Sequence, residues 1–504
     1  MEELKKKKVL IVGAGVAGLS TSYYLAKAGV KVKVLDYQPY EKSFYSPSNG
    51  CDAASADVNK IFRAAYGEEV EYQRLAYRAR AIWSQWNIDI ASTPPSSLPP
   101  GISPSTRLFY PSGFLRLPLH PTSPLSEKEL SSLSHIASES ASLRAQNYVL
   151  SNPEDVQRAK SEGWAKQLDL WTDLWTEKGG DGVFDATAGF VRADKACAWM
   201  RWLAEREGVE FVLGEEGRVK KVIEEGQCDE KRAVGVETTD GKVHSADLVI
   251  VACGGWTPTL LPQVKDNLEA TGGSVVTLQL PPQSERPDLW EKYAPENFPV
   301  VSRRMNDGSG PLGGCYGFPR MENGAIKIGW RGLKCTNFAS HPLDPTSSLR
   351  ISTPHTAYSS PSSSTPPLPP LTLPHPALHP IKSFIHTLLP DLASVARITE
   401  TRICWYCDSL DNNFLVDYVP GYGTSLAVVS GGSGHMFKFL PILGLHVLDV
   451  LTGSENEYKQ LWKWKTPAAD PEGKAIKSNG LEEGESGPRV LSGMEWASKE
   501  EWEL

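Results

Sequence analysis

Three glycines, Gly13, Gly15 and Gly18, stand in the spacing G-x-G-x-x-G, and Asp36 closes the next apolar run. Those residue types suit a dinucleotide. The first glycine permits a tight turn, the second lets a pyrophosphate approach the backbone, and the third lets a helix pack close to a strand. A carboxylate at Asp36 can bind a ribose hydroxyl. A second position with chemical potential is Lys327, set between Ile326 and Ile328. A charge in an apolar strand is costly unless it has a task; an outward-facing lysine on a half-exposed strand is the alternative. The third is Cys404-Trp405-Tyr406-Cys407. Its C-x-x-C spacing admits a redox disulfide or half a zinc site. No second cysteine or histidine pair has zinc-ligand spacing, so no metal is expected.

The glycine spacing has meaning only on the right elements. Val9 to Val12 read as a buried strand, the residues after Gly15 as a helix, and Lys31 to Leu35 as a second strand. The helix N-terminus then offers its unpaired amides to the phosphates. Further strands are expected at Val209–Leu213, Gly217–Glu224, Ala233–Thr239 and Asp247–Ala252, and helices at Ala193–Glu207 and Pro441–Leu451. These stretches are interrupted by others that do not belong with them. Gly272–Leu280, Tyr316–Phe318 and Ala325–Trp330 read as strands of a second sheet. The expected fold is α/β: a Rossmann-type dinucleotide-binding domain with a second α+β substrate domain on a mostly antiparallel sheet. The cofactor domain is expected to be discontinuous, from 1–94, 183–262 and 396–465, with 95–182 and 263–395 forming the substrate domain. Residues 354–380 read as a Pro/Ser-rich surface insertion and 466–504 as an irregular or disordered tail.

With 504 residues the chain has room for two or three domains. A net charge of -8 argues against a nucleic-acid partner. No run approaches the ~18 apolar residues of a membrane span. Eight cysteines over this length do not make a disulfide framework, so a reducing, cytoplasmic setting is expected. The final Glu501-Trp502-Glu503-Leu504 is not a Ser-Lys-Leu address, which weakens a peroxisomal assignment without excluding it.

Four blocks beyond the glycine turn decide between NAD and FAD. They are Ala56 to Glu68, Tyr316-Gly317-Phe318-Pro319 with Ile326 to Trp330, Arg402 to Asp408, and Ser430 to Phe439. Together they resemble the amino-acid-oxidase-type flavoproteins, in the group of sarcosine, pipecolate, saccharopine and fructosyl amino acid oxidases. The resemblance spans residues 8 to about 465. It implies that the first block passes beneath the flavin, with Asn59 and Lys60 at the cofactor, Lys60 beside the isoalloxazine ring. Arg63 matches the arginine that receives the substrate carboxylate, for which a planar guanidinium is suited. Lys327 matches a lysine over the flavin face that promotes reaction with oxygen, its cation stabilising negative charge that develops there. Tyr316 matches an active-site tyrosine. Cys404 matches the cysteine joined by a thioether to the flavin. Amides of the fourth block, Gly434 among them, line the pyrimidine side; Lys438 matches a second carboxylate-binding cation and His435 a pocket residue, with a structural histidine as the alternative. Val219 matches a strand residue whose backbone contacts adenine. Arg331 departs from the sarcosine oxidases, which carry histidine there. It either brings another cation to the pocket, pointing toward a more acidic substrate, or faces away.

The resemblance implies an FAD-dependent oxidase of a secondary or N-substituted amino acid, with O2 as acceptor and H2O2 as product. A flavin dehydrogenase using another acceptor, a non-catalytic flavin-binding protein and an NAD-dependent dehydrogenase are the alternatives. Phe109, Tyr110 and Phe114 are expected to line the substrate pocket.

Overall fold

Val9 to Val12 are buried on both faces of their strand, the condition in which a parallel sheet is stable. A computed structural model describes residues 1–120, 122–175, 180–226, 230–305, 313–343, 346, 348–357, 359, 372–468 and 477–504. In it Lys8–Val12 pairs in parallel with Lys31–Asp36 on one side and Leu248–Val251 on the other. Glu210–Leu213 extends one edge in parallel and Leu426–Ser430 the other, beyond which Leu415–Tyr418 runs antiparallel. The helices Val16–Lys27, Ala193–Arg206 and Leu443–Leu451 cover one face, where Val9, Ile11, Leu19, Met200 and Val447 share a core. The other face buries Leu10, Val12, Val249 and Val251 against an antiparallel meander of Val219–Glu225, Arg232–Thr238 and Val243–Ser245.

Helix and turn meet too closely for any side chain. A Cβ on Gly18 would lie 1.8 Å from the Gly13 carbonyl oxygen, and Gly13 itself has φ +108°. Only glycine satisfies both positions.

The second sheet has eight strands, in the order 397–409, 268–279, 325–335, 313–317, 300–305, 114–117, 183–185, 147–149. Every neighbouring pair is antiparallel except Val300–Met305 with Phe114–Leu117. Two of its strands, Val183–Asp185 and Arg397–Ser409, lie in stretches that sequence attached to the cofactor domain. An alternating pattern marks a strand but does not name its partner; these pair with Phe114–Leu117 and Leu268–Gln279.

The helix His375–Leu388 overlaps the expected Pro/Ser insertion. Its Pro376 sits in the first turn, where proline is tolerated, and Ala377, Ile381, Phe384 and Ile385 pack into the core of the large sheet. Residues 358 and 360–371 of that stretch lie outside the described residues. The described part of the tail is anchored rather than free. Leu491 packs with Ile403 and Trp405, Trp502 is buried, and Arg489 donates to Glu269 at 2.9 Å. No helix among the described residues is long and apolar enough to cross a membrane, and no cluster among them could hold a metal ion.

Burial, opposed by Arg489, pushes the Glu269 carboxyl up to about 7 from a usual 4.5. A carboxyl raised in the folded state stabilises the fold at low pH, and that contribution is lost as pH rises from about 4.5 through about 7. Glu269→Gln should flatten this part of the stability profile, measured as thermal midpoints across that range.

Candidate active site

The carboxyl ends of Lys8–Val12, Lys31–Asp36 and Leu248–Val251 open into a cavity of about 760 Å³. That is the usual ligand position in an open α/β sheet and a usual ligand-cleft volume. Gly13, Gly15, Asp36 and Val219 line it. So do Lys60, Cys404, Gly434 and His435, from segments far apart in sequence. Gly18 is not in the lining; it seats the helix against Gly13. Asp36 accepts the Ala14 N–H at 2.7 Å and the Gln38 N–H at 2.8 Å, so the carboxylate ties the glycine turn to its strand as well as facing the cavity. Burial pushes its carboxyl above the usual range, opposed by those two donors and by Tyr40. Bare glycine backbone at a helix N-terminus, an acid at the second strand end and a thiol beside an ammonium form a donor set that fits FAD. Asn59 does not offer its side chain to the cavity. Its carbonyl accepts from Lys327 at 2.6 Å, and its Oδ1 is buried without a partner.

The large sheet sorts its residues by alternation. Across its register Lys327 stands opposite Thr277, Gly329 opposite both Val275 and Tyr316, Arg402 opposite Val275, and Cys404 opposite Gly273. Opposed residues in an antiparallel pair share a face, so Lys327, Tyr316, Arg331, Arg402, Cys404 and Tyr406 all fall on one side. The other side carries Ile326, Ile328, Trp330, Ile403 and Trp405 into apolar clusters. Glycine at 329 is required there: a Cβ would come within 2.3 Å of the Tyr316 ring and hydroxyl. Cys404 and Cys407 point to opposite faces and are both free thiols. Three strand residues span ~10 Å, beyond disulfide reach, so the C-x-x-C redox reading is set aside.

On the shared face Asp57 is the anchor. Its carboxylate, 3% exposed, meets Lys327 Nζ at 2.8 Å, Lys60 Nζ at 2.7 Å and Arg402 Nη2 at 3.1 Å. Burial pushes this carboxyl up, but the three cations outweigh it and hold it far below the usual range. Lys327 is 3% exposed. Burial, opposed by Asp57, brings its ammonium down to about 8. Burial also opposes the Lys60 charge, yet Asp57 outweighs it and raises that ammonium. Lys60 Nζ lies 3.9 Å from Cys404 Sγ. Burial pushes the Tyr316 hydroxyl up, keeping it protonated.

A second group of cations has no carboxylate within ion-pair distance among the described residues; Asp408 acts on Arg331 and Glu69 on Lys438 only from farther away. Lys438, 3% exposed, donates to Tyr66 Oη at 2.7 Å. His435 Nε2 lies 2.9 Å from the Asn412 carbonyl, which only accepts, so Nε2 carries the proton. Nδ1 must then accept from Tyr66 Oη at 3.0 Å. Burial, then Lys438, lowers the His435 pKa and keeps the ring neutral. Arg63 lies 4.8 Å over the Tyr66 ring and donates to the Ala65 carbonyl. Arg331 turns inward: it stands 5.1 Å over the Tyr406 ring, and a Cβ on Gly434 would be 2.3 Å from its guanidinium. Both of those neighbours line the cavity. Tyr406 raises the Arg331 pKa, whereas burial and the charges of Arg63 and Arg331 lower that of Lys438 well below the lysine value.

Phe109 and Phe114 do not form a pocket wall. Both are in hydrophobic cores, and Tyr110 stacks on Phe190 with its hydroxyl on Glu322. Asp57, Arg402, Tyr66 and Asn412 were not singled out from sequence. Asp57 stands three residues before Lys60, a legible signal; its bond to Lys327 crosses the sequence and had none.

A family profile described as FAD dependent oxidoreductase matches residues 8–450. The chain is 27% identical over 471 residues to the L-saccharopine oxidase of Schizosaccharomyces pombe, covering 91% of this chain and 93% of that protein. A modified fructosyl peptide oxidase from Aspergillus nidulans superposes with a TM-score of 0.71 at 25% identity, covering 97% of this chain and 99% of its own. The fructosyl peptide oxidase from E. terrenum gives 0.73 at 23% identity, with 98% of each chain covered.

Removing the Tyr66 hydroxyl strands two buried polar groups at once, Lys438 Nζ and His435 Nδ1. Tyr66→Phe should lower unfolding free energy by ~1–3 kcal/mol in urea titrations, a loss that vanishes if neither group depends on that hydroxyl.

Proposed function

The chain belongs to the FAD dependent oxidoreductase family, and on that premise we propose that it oxidises an N-substituted α-amino acid, with O2 as acceptor and H2O2 as product. The observation that carries this reading is the cluster of Arg63, Lys438 and Arg331: among the described residues none of the three has a carboxylate within ion-pair distance, Glu69 and Asp408 acting only from farther away. Burying like charges together is costly unless an anion completes them. The substrate carboxylate is that anion, received by Arg63 and Lys438. Similarity to proteins named for saccharopine, N-methyl-L-tryptophan and fructosyl peptides, whose names share an amino acid bearing an N-substituent, supports the substrate class. Arg331 is an additional cation at the cavity edge, and it supports a substrate with a second acidic group.

Bound FAD would supply the two-electron acceptor for the amine carbon and pass those electrons to O2. The chain's own groups do the rest. Tyr66, fixed by neutral His435, holds Lys438 by one hydrogen bond and leaves its other N–H bonds for the carboxylate. No carboxylate in this cluster takes the amine proton, so the amine is read as entering neutral, a state that burial beside cations favours. Loss of two electrons and two protons gives the imine, which water hydrolyses. Lys327 is the cation assigned to oxygen, where it offsets developing negative charge. Cys404 is proposed as the covalent anchor. Its thiol, in the cavity lining beside the Lys60 ammonium, would hold the flavin through a thioether.

The reading is tested by peroxide release from saccharopine, pipecolate, sarcosine and fructosyl amino acids; no peroxide from any carboxylated secondary amine would remove it. Arg63→Ala should raise KM for the accepted substrate at least ~10-fold, as expected for one lost charge-assisted bond. Arg331→Gln should penalise substrates with a second carboxylate more than monocarboxylates. Acid precipitation should leave yellow colour in the wild-type pellet and release it from Cys404→Ser; colour in the supernatant in both cases overturns the tether.

A further inference from the structure

We propose that Asp57 is a positioning residue for the oxygen step: it holds Lys327, Lys60 and Arg402 as one cationic assembly at the cofactor and keeps Lys327 charged. The inference rests on the oxygen role assigned to Lys327 above. Its basis is geometric. The segment carrying Asp57 and Lys60 meets the large sheet where two of its strands present Lys327 and Arg402 on the same face. One carboxylate contacts all three cations, and it is the sole acid within ion-pair distance of Lys327 among the described residues. The remaining contacts of Lys327 are neutral: the Asn59 carbonyl at 2.6 Å and the Phe318 ring at 4.8 Å. Beyond them stand Tyr316 and Cys404, with Asp52 acting on Arg402. Without Asp57 the ammonium would be buried beside two like charges and a carbonyl, and an amine in that setting gives up its proton.

The assembly is also unbalanced. One negative charge faces three positive ones beside a cavity lined by Lys60 and Cys404. An excess of buried positive charge favours a reduced, anionic cofactor. In the oxygen step O2 accepts two electrons from that reduced cofactor and two protons, and leaves as H2O2. Lys327 offsets negative charge on oxygen only while protonated, so the step should weaken as pH rises through about 8.

The test uses holoenzyme photoreduced without amino acid, mixed with O2 at pH values from about 6 to 9, so that substrate identity plays no part. Asp57→Asn keeps the side-chain volume and an acceptor for Lys327 but removes the charge. Its fall in reoxidation rate should move to lower pH by ~1–3 units, and Asp57→Glu should restore it. Arg402→Met removes a like charge from Lys327 and should move the fall to higher pH. This second variant decides the matter if Asp57→Asn does not fold. The midpoint potential of the bound flavin supplies a readout other than turnover. In Asp57→Asn it should exceed wild type below the displaced transition, where Lys327 is protonated and its counter-charge is gone, and approach wild type above it. A merely structural Asp57 would move neither profile. Superimposable pH profiles and potentials for Asp57→Asn and wild type, with Lys327→Met still slow to reoxidise, overturn the inference alone. A Lys327→Met enzyme that reoxidises like wild type removes the oxygen role, and the potentials then still report whether Asp57 controls the Lys327 charge.

Discussion

A cation taken out of water must be held by something, and at the centre of this molecule one carboxylate, Asp57, holds three. The contact joins three stretches of the chain that lie far apart in sequence. Lys60 comes from the segment after the Rossmann motif, Lys327 from one strand of the large sheet, and Arg402 from another. Such a cluster is not a cheap way to gain stability. What it fixes is geometry: the strand bearing Cys404 and the strand bearing Lys327 cannot drift relative to the cofactor cavity without breaking an ion pair in a dry environment.

Nearby, the opposite arrangement serves a different end. Arg63, Lys438 and Arg331 have no acid within ion-pair distance among the described residues, and their direct contacts include two tyrosines, Tyr66 and Tyr406, and backbone carbonyls, with neutral His435 on Tyr66. Where charges are satisfied internally they fix geometry; where they are left over they are proposed to receive the substrate carboxylate. Sheet register separates the polar from the apolar work, since alternate residues of 325–335 and 397–409 put Lys327, Arg331, Arg402 and Cys404 on one face and send the other set into apolar clusters.

How much of this could be read from sequence differs by residue. Gly13, Gly15, Gly18 and Asp36 carried their meaning locally, because turn, helix and strand follow each other without interruption. Alternation around Lys327 marked a strand with one unusual member. Lys60, Cys404, Val219 and Gly434 were legible through family resemblance, and they meet at one cavity. The Asp57 cluster was not legible, because it depends on which strands neighbour one another and in what register, and neither is encoded in a local pattern. The same limit explains why 396–465 was assigned whole to the cofactor domain although Arg397–Ser409 pairs with Leu268–Gln279 of the large sheet. Composition misled at both ends of the scale: proline-rich sequence hid the start of a helix, and polar, glycine-rich sequence hid a tail in which Leu481, Leu491 and Trp502 are buried.

The cavity wall draws on Gly13 and, far along the chain, on residues from Ser430 to Phe437. Leu426–Ser430 is also a strand of the same sheet as Lys8–Val12, reached through Leu248–Val251. During synthesis, therefore, the glycine turn emerges long before the strand and loop that complete its surroundings. A complete cavity must wait until the segment through Phe437 has left the ribosome, and the early parallel strands spend that interval with an open edge, a period in which chaperone protection matters.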